Sequence, residues 1–303
     1  MSEGAEKNRE ISESVEEYRA GRISRRELLA SITVALGGYA AAHLFLETSG
    51  LAGTLISTVE AQSANVDAET VRFRSGEFDI SGYLTKPKGA GPYPGVIVIH
   101  ENRGLNEHIR DVARRFATEG FVALAPDLLS RLGGTGQART APAGAGDTTG
   151  ESNRPADAAQ AIASLPLMGV IDDLRVGLEF LAKDPRVDPA RLGSVGFCWG
   201  GWRSFMLATT APNLRKAVVF YGSSPDTGFD KIQASVLAHY GEWDNQITGN
   251  ALWTKEVMER AGKTFQYYVY PKTDHAFFND TGPRYAPEAA KLAWQRTVDF
   301  LNS

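Results

Sequence analysis

The chain has 303 residues, 43% of them hydrophobic and 22% charged, with a net charge of −4 and a single cysteine. This composition excludes a disordered, fibrous or multi-span membrane protein. One cysteine excludes a disulfide framework or a cysteine-rich zinc module, and the absence of a long basic run argues against nucleic acid as a partner.

The first 65 residues read as a segment of their own. Residues 1–63 carry nine acidic and six basic groups, whereas residues 64–303 are near balance with 27 acidic and 26 basic. Arg25 and Arg26 precede an uncharged run from Leu28 to Leu46 that is rich in alanine and glycine. Paired arginines before a weakly apolar stretch resemble a twin-arginine export signal. Val59-Glu60-Ala61 reads as a signal-peptidase site, with Ala61-Gln62-Ser63 as a second option. The run is nearly the length that spans a bilayer, roughly 20 residues, so an uncleaved anchor is a second reading and a helical arm for oligomer packing a third. The expected location is outside the cytoplasm, in the periplasm.

Residues 66–303 form the predicted folded domain. Val71–Arg74 and Phe78–Thr85 read as an opening hairpin, and Tyr93 to Gly95 as a break. Val96–His100 is a continuous apolar run, as in a strand buried on both faces. Ile109, Val112, Ala113 and Phe116 fall on one face of a helix over Asn106–Glu119, which Gly120 stops. Phe121–Ala125 is the next strand. Residues 130–156, rich in Gly, Ala, Thr and Pro, read as a long loop that could form a partial lid. Helices over Asp172–Leu181, Gly200–Ala208, Ala251–Ala261 and Pro287–Leu301 alternate with strands over Leu192–Phe197, Lys216–Tyr221, Val236–Tyr240 and Phe265–Tyr270. The alternation predicts an α/β fold whose mostly parallel sheet is flanked by helices.

Cys198 sits in Gly196-Phe197-Cys198-Trp199-Gly200, after a predicted strand and before a predicted helix. That is the context of a nucleophile elbow, in which the glycines permit a sharp turn. The helix N-terminus favours a thiolate there. A buried structural cysteine is the competing reading. A simple thiol with a pKa of ~8.5 needs a base near neutrality. His275 follows the last predicted strand and Asp244 the one before it, in the order nucleophile, acid, base. Asp274 and Glu242 are rivals to Asp244. His100 reads as a structural histidine.

Together, His100 to Asn106, Ala125 to Leu128, the Gly-Phe-Cys-Trp-Gly-Gly elbow and His275 to Asn279 resemble the dienelactone hydrolase family of α/β-hydrolases over roughly residues 70–302. The resemblance implies a Cys198–His275–Asp244 triad and gives Glu101 a part in forming the thiolate. It also implies an oxyanion hole from the backbone N–H groups of Trp199 and Asn102. The expected activity is cleavage of a lactone or carboxylic ester through a thioester, with no metal or organic cofactor. A broad carboxylesterase and a weakly catalytic binding protein are the alternatives.

Trp202, Tyr221, Trp243 and Phe277 suggest an aromatic pocket for a planar substrate. Arg103 and Arg203 are candidates for a substrate carboxylate, although the position of Arg203 along its helix can turn it away from the site. In dienelactone hydrolases an arginine four residues after the triad histidine helps hold the substrate carboxylate. Here that position is Asn279, which leaves the means of recognising such a carboxylate open. The likeness does not name the substrate or the oligomeric state.

Overall fold

The computed structural model describes residues 66–138 and 155–303, together with positions 9, 11–17, 28 and 31, which are helical. The arginine pair, nearly all of the apolar run, the cleavage sites and residues 139–154 of the long loop lie outside the described residues. The chain divides into two units, Met1–Ala64 and Asn65–Ser303. Among the described residues no helix is long and apolar enough to cross a membrane.

The second unit is built on one eight-stranded sheet. Its strands are β1 (Val66–Ser75), β2 (Phe78–Pro87), β3 (Tyr93–Ile99), β4 (Val122–Pro126), β5 (Val187–Phe197), β6 (Lys216–Phe220), β7 (Ser235–Gly241) and β8 (Phe265–Tyr270). Their spatial order is β1-β2-β4-β3-β5-β6-β7-β8. β1 and β2 pair antiparallel, as do β2 and β4, and every other neighbouring pair is parallel. The longer helices are α1 (Glu107–Thr118), α2 (Pro155–Ala163), α3 (Leu167–Ala182), α4 (Trp199–Ala208), α5 (Ala251–Arg260) and α6 (Pro287–Asn302). The expected α/β architecture is the one that forms.

The strand period of two explains the layers. In β3, Ile97 and Ile99 join one core with residues of α2, α3, α4 and α5, while Val96 and Val98 join the other with residues of α1 and α6. All four are fully buried. Burying each such side chain stabilises the fold by about 1.5–3 kcal/mol, so the central strands cannot slip register without exposing both cores.

Three expectations are corrected. Tyr93 to Gly95 begin β3 rather than breaking the chain, and Pro94, which lacks an N–H, sits where the β3–β5 register shifts. Strand β5 starts at Val187, before the Leu192 expected, because Pro189 hides its first half. The long loop ends in a helix, α2, whose small residues gave little periodic contrast; α3 likewise begins at Leu167, with Pro166 as its N-cap.

Because β3 and β5 to β8 run parallel, their carboxyl ends share one edge of the sheet. Glu101 follows β3, Cys198 follows β5, Asp244 follows β7 and His275 follows β8. In open α/β sheets this edge is where ligands bind.

Candidate active site

Cys198 links β5 to α4 at φ 55° and ψ −116°, a conformation that side-chain-bearing residues rarely adopt. Its N–H donates to the Phe220 carbonyl at 3.0 Å, and its carbonyl accepts from the Gly201 N–H at 2.9 Å. The flanking glycines make the turn sterically feasible. A Cβ on Gly196 would lie 2.0 Å from the Gly200 carbonyl oxygen, and one on Gly200 would lie 2.4 Å from that of His100. The sulfur is therefore held half-buried at the positive end of α4, where the helix dipole favours negative charge.

His275 Nδ1 is 2.6 Å from Asp244 Oδ2, and the Cys198 thiol is near enough to the same imidazole to raise its proton affinity. Burial opposes a charged imidazole, but the bond to Asp244 and the negative charge of Asp244 and Cys198 outweigh it and raise the pKa to about 10. The rival carboxylates are occupied elsewhere. Asp274 Oδ1 accepts the His275 backbone N–H at 2.7 Å, and Glu242 Oε2 accepts the Lys272 N–H at 2.8 Å.

This coupling sets a pH dependence of stability. The folded imidazole binds its proton more tightly than an unfolded one, whose reference pKa is 6.5, so the stabilisation is complete below about pH 6.5 and is lost as pH rises towards about 10. Asp244→Asn is therefore expected to lower Tm relative to wild type at pH 6, with the gap shrinking steadily up to pH 10. Melting curves of the two proteins across that range test it, and a gap that does not change with pH refutes it.

Glu101 is buried and tied down. Asn279 Nδ2 donates to Glu101 Oε2 at 2.8 Å, and the Tyr221 hydroxyl donates to Oε1 at 3.5 Å. Tyr221 is fully buried at φ 40°. Burial first, then the negative charges of Glu101 and Cys198, push its hydroxyl well above the usual range, so it keeps its proton and remains a donor. Beyond Asn279, Asp280 bonds to His108 Nδ1 at 3.1 Å and pairs with Arg115. These contacts pin the stretch after His275 to α1. His100 spends both ring nitrogens on the backbone, contacting the Glu101 carbonyl at 2.7 Å and the Leu128 N–H at 3.2 Å. Burial keeps its pKa low, and its role is structural.

Neither the Trp199 N–H nor the Asn102 N–H has an acceptor among the described residues.

The other expected substrate residues separate into groups. Phe277 is fully buried against Tyr270, Tyr221 and Phe220, so it packs the core instead of lining a pocket. Tyr221 and Asn279 are also buried, and both serve Glu101. Trp243, next to Asp244, is 60% exposed. Arg103 is exposed beside Asn102. Arg203 is buried, and its guanidinium lies over the Trp199 ring at 3.9 Å and the Trp202 ring at 4.1 Å. Sequence reasoning missed His108, Arg115 and Asp280, because no spacing links α1 to a loop so far along the chain.

Residues 80–303 match the sequence profile of the dienelactone hydrolase family. The chain belongs to this family. A dienelactone hydrolase family relative from Synechocystis sp., named "Putative carboxymethylenebutenolidase", is 34% identical over 257 residues, covering 78% of this chain and 98% of its own. A protein of the same name from Methylorubrum extorquens is 31% identical, covering 81% and 84%. The crystal structure of a "Putative Dienelactone Hydrolase" from Klebsiella pneumoniae aligns with a TM-score of 0.68 at 31% identity, over 78% of this chain and 99% of that one. Membership in the dienelactone hydrolase family makes the protein a carboxylic ester hydrolase of the α/β-hydrolase fold that acts on small molecules.

Proposed function

We propose that the enzyme cleaves a lactone or carboxylic ester by covalent catalysis at Cys198. The observation that carries this reading is the imidazole of His275, bonded to Asp244 at 2.6 Å and electrostatically coupled to Cys198 on its strained turn. The Cys198 thiolate adds to the substrate carbonyl carbon, and the Trp199 and Asn102 N–H groups take the resulting oxyanion. Collapse breaks the C–O bond, and the His275 imidazolium gives its proton to the departing alkoxide. In a lactone that alkoxide stays tethered to the acyl group. Neutral His275 then takes a proton from water, whose oxygen attacks the thioester, and the acid leaves as the thiolate re-forms. Asp244 holds the ring in place and stabilises its charged form. Glu101, bonded to Asn279 and Tyr221, is the carboxylate that draws the Cys198 thiol proton away and so helps form the thiolate once substrate is bound.

The test is a trapped intermediate. Mixing enzyme with excess 4-nitrophenyl acetate and quenching with acid is expected to add one acetyl group, mapped by peptide mass spectrometry to Cys198. An adduct on another residue, or turnover with none, overturns the reading. A panel of 4-nitrophenyl esters set against dienelactone separates a lactonase from a broad carboxylesterase. For the N-terminal segment we propose export through the paired Arg25 and Arg26. Fractionation with N-terminal sequencing tests it, and a cytoplasmic, unprocessed chain refutes it.

A further inference from the structure

The Ala125 to Leu128 stretch that closes β4 carries no group of the proposed mechanism, yet it opens a buried network. Asp127 is buried and has no cation partner among the described residues. Three donors compensate its burial instead. Oδ2 accepts the Thr135 N–H at 2.7 Å, and Oδ1 accepts the Thr135 hydroxyl at 2.6 Å and the Leu129 N–H at 3.1 Å.

The Thr135 hydroxyl has one proton and gives it to Asp127, so its oxygen is left to accept. It accepts the Leu105 N–H at 2.9 Å. That bond crosses from the segment after β4 to the far end of the loop between β3 and α1, which carries Glu101 and Asn102. Gly104 permits the approach: it has φ 74°, and a Cβ there would lie 2.3 Å from Thr135 Oγ1. The near end of the loop is held by the same segment. The Leu128 N–H donates to His100 Nε2 at 3.2 Å, and His100 Nδ1 then donates to the Glu101 carbonyl at 2.7 Å. The His100 ring also stacks on the Trp199 ring, with centroids 5.6 Å apart. Residues 101–105 are thus fastened at both ends to residues 127–135, with Asn102 between the fastenings.

We infer that Asp127 and Thr135 are positioning residues for the oxyanion hole: they hold residues 101–105 so that the Asn102 N–H stands where the carbonyl oxygen of the substrate gains charge. A donor stabilises an oxyanion best when its place is set before the charge develops. The loop that carries this one has no helix or strand of its own, so its place comes from these side-chain bonds. The inference rests on the catalytic reading above for the role of Asn102.

The test compares 4-nitrophenyl acetate with its thionoester, in which sulfur replaces the carbonyl oxygen and accepts hydrogen bonds weakly. Thr135→Val keeps the side-chain shape and removes the hydroxyl. Losing a whole oxyanion donor costs about a hundred- to a thousand-fold in kcat, so misplacing one is expected to lower kcat/KM for the ester by about ten-fold or more. The thionoester should lose no more than about three-fold, because its sulfur gains little from the donor. Thr135→Ser, which keeps the hydroxyl, is expected to restore the ester rate, and Asp127→Asn to repeat the Thr135→Val pattern. Thr135→Ala, checked for an unchanged circular dichroism spectrum, replaces Thr135→Val if that variant folds poorly. A second measurement needs no catalysis. In Cys198→Ala protein, adding Thr135→Val is expected to speed amide hydrogen exchange about ten-fold at Gly104 and Leu105 while the middle of α1 stays unchanged. Unchanged kinetics or unchanged exchange in Thr135→Val overturns the proposal. So does an equal loss for ester and thionoester, or a Thr135→Ser enzyme as impaired as Thr135→Val, either of which would leave the network a purely structural one. Full activity in Cys198→Ala would instead remove the nucleophile assignment alone, since the ester-to-thionoester ratio reports on the carbonyl oxygen whichever group attacks.

Discussion

Cys198→Ala is expected to lower kcat on activated esters by about ten-thousand-fold or more, the scale seen when a covalent nucleophile is removed. The substitution keeps the Cβ atom and deletes only the sulfur. The turn at φ 55° strains alanine as it strains cysteine, so the elbow loses no backbone preference. The contacts that hold the turn are backbone ones, from Cys198 N to Phe220 and from Gly201 N to Cys198 O, and alanine retains them. Because the sulfur is half-buried and not part of the fully packed core, Tm is expected to move by only a few degrees.

The expected signature is thus a large kinetic loss with a small stability loss. Measured kcat and melting curves on the same preparation decide it. Residual activity above about 1% of wild type would mean that another group performs the attack. The chain has no second thiol to substitute for Cys198, so the result has no redundancy to confuse it.

How much of this was legible in the sequence depended on whether the cause was local. The elbow could be read because its demands fall within five consecutive residues: glycines where a Cβ meets backbone, and a nucleophile between a strand and a helix. Asp244 and His275 could be read because chain order in a parallel sheet fixes which strand ends share an edge. Phe277 could not be assigned, since an aromatic beside a triad histidine looks alike whether it lines a pocket or packs beneath it. Asn279 looked like a lost carboxylate ligand, and only its 2.8 Å bond shows that it serves Glu101. The Arg203 environment was equally hidden, because a helix position does not say whether indole faces will cover the side chain. Prolines misled the element boundaries: Pro94 and Pro189 each lie inside a strand and interrupted its apparent pattern.

His275→Ala is expected to lower steady-state kcat by about a thousand-fold or more, and to do so unequally across the two chemical steps. Acylation needs a thiolate, which can form without the imidazole if the pH is high enough, since a simple thiol ionises near ~8.5. Deacylation needs a base on the attacking water, and no other histidine among the described residues is available for that. His100 and His239 are fully buried with both ring nitrogens bonded. His108 is buried and held by Asp280. With 4-nitrophenyl acetate at pH 9.5, the variant is therefore expected to release about one equivalent of nitrophenolate and then nearly stop, with the acetyl group retained on Cys198. Wild-type enzyme under the same conditions should turn over continuously. Stopped-flow absorbance and intact-protein mass follow both quantities. A variant that neither bursts nor acylates at high pH would place the need for His275 at thiol ionisation or carbonyl attack. A variant that turns over freely would remove His275 from the mechanism. The second outcome would also deprive the Asp244 bond of its catalytic meaning, leaving it a structural contact between the loops that follow β7 and β8.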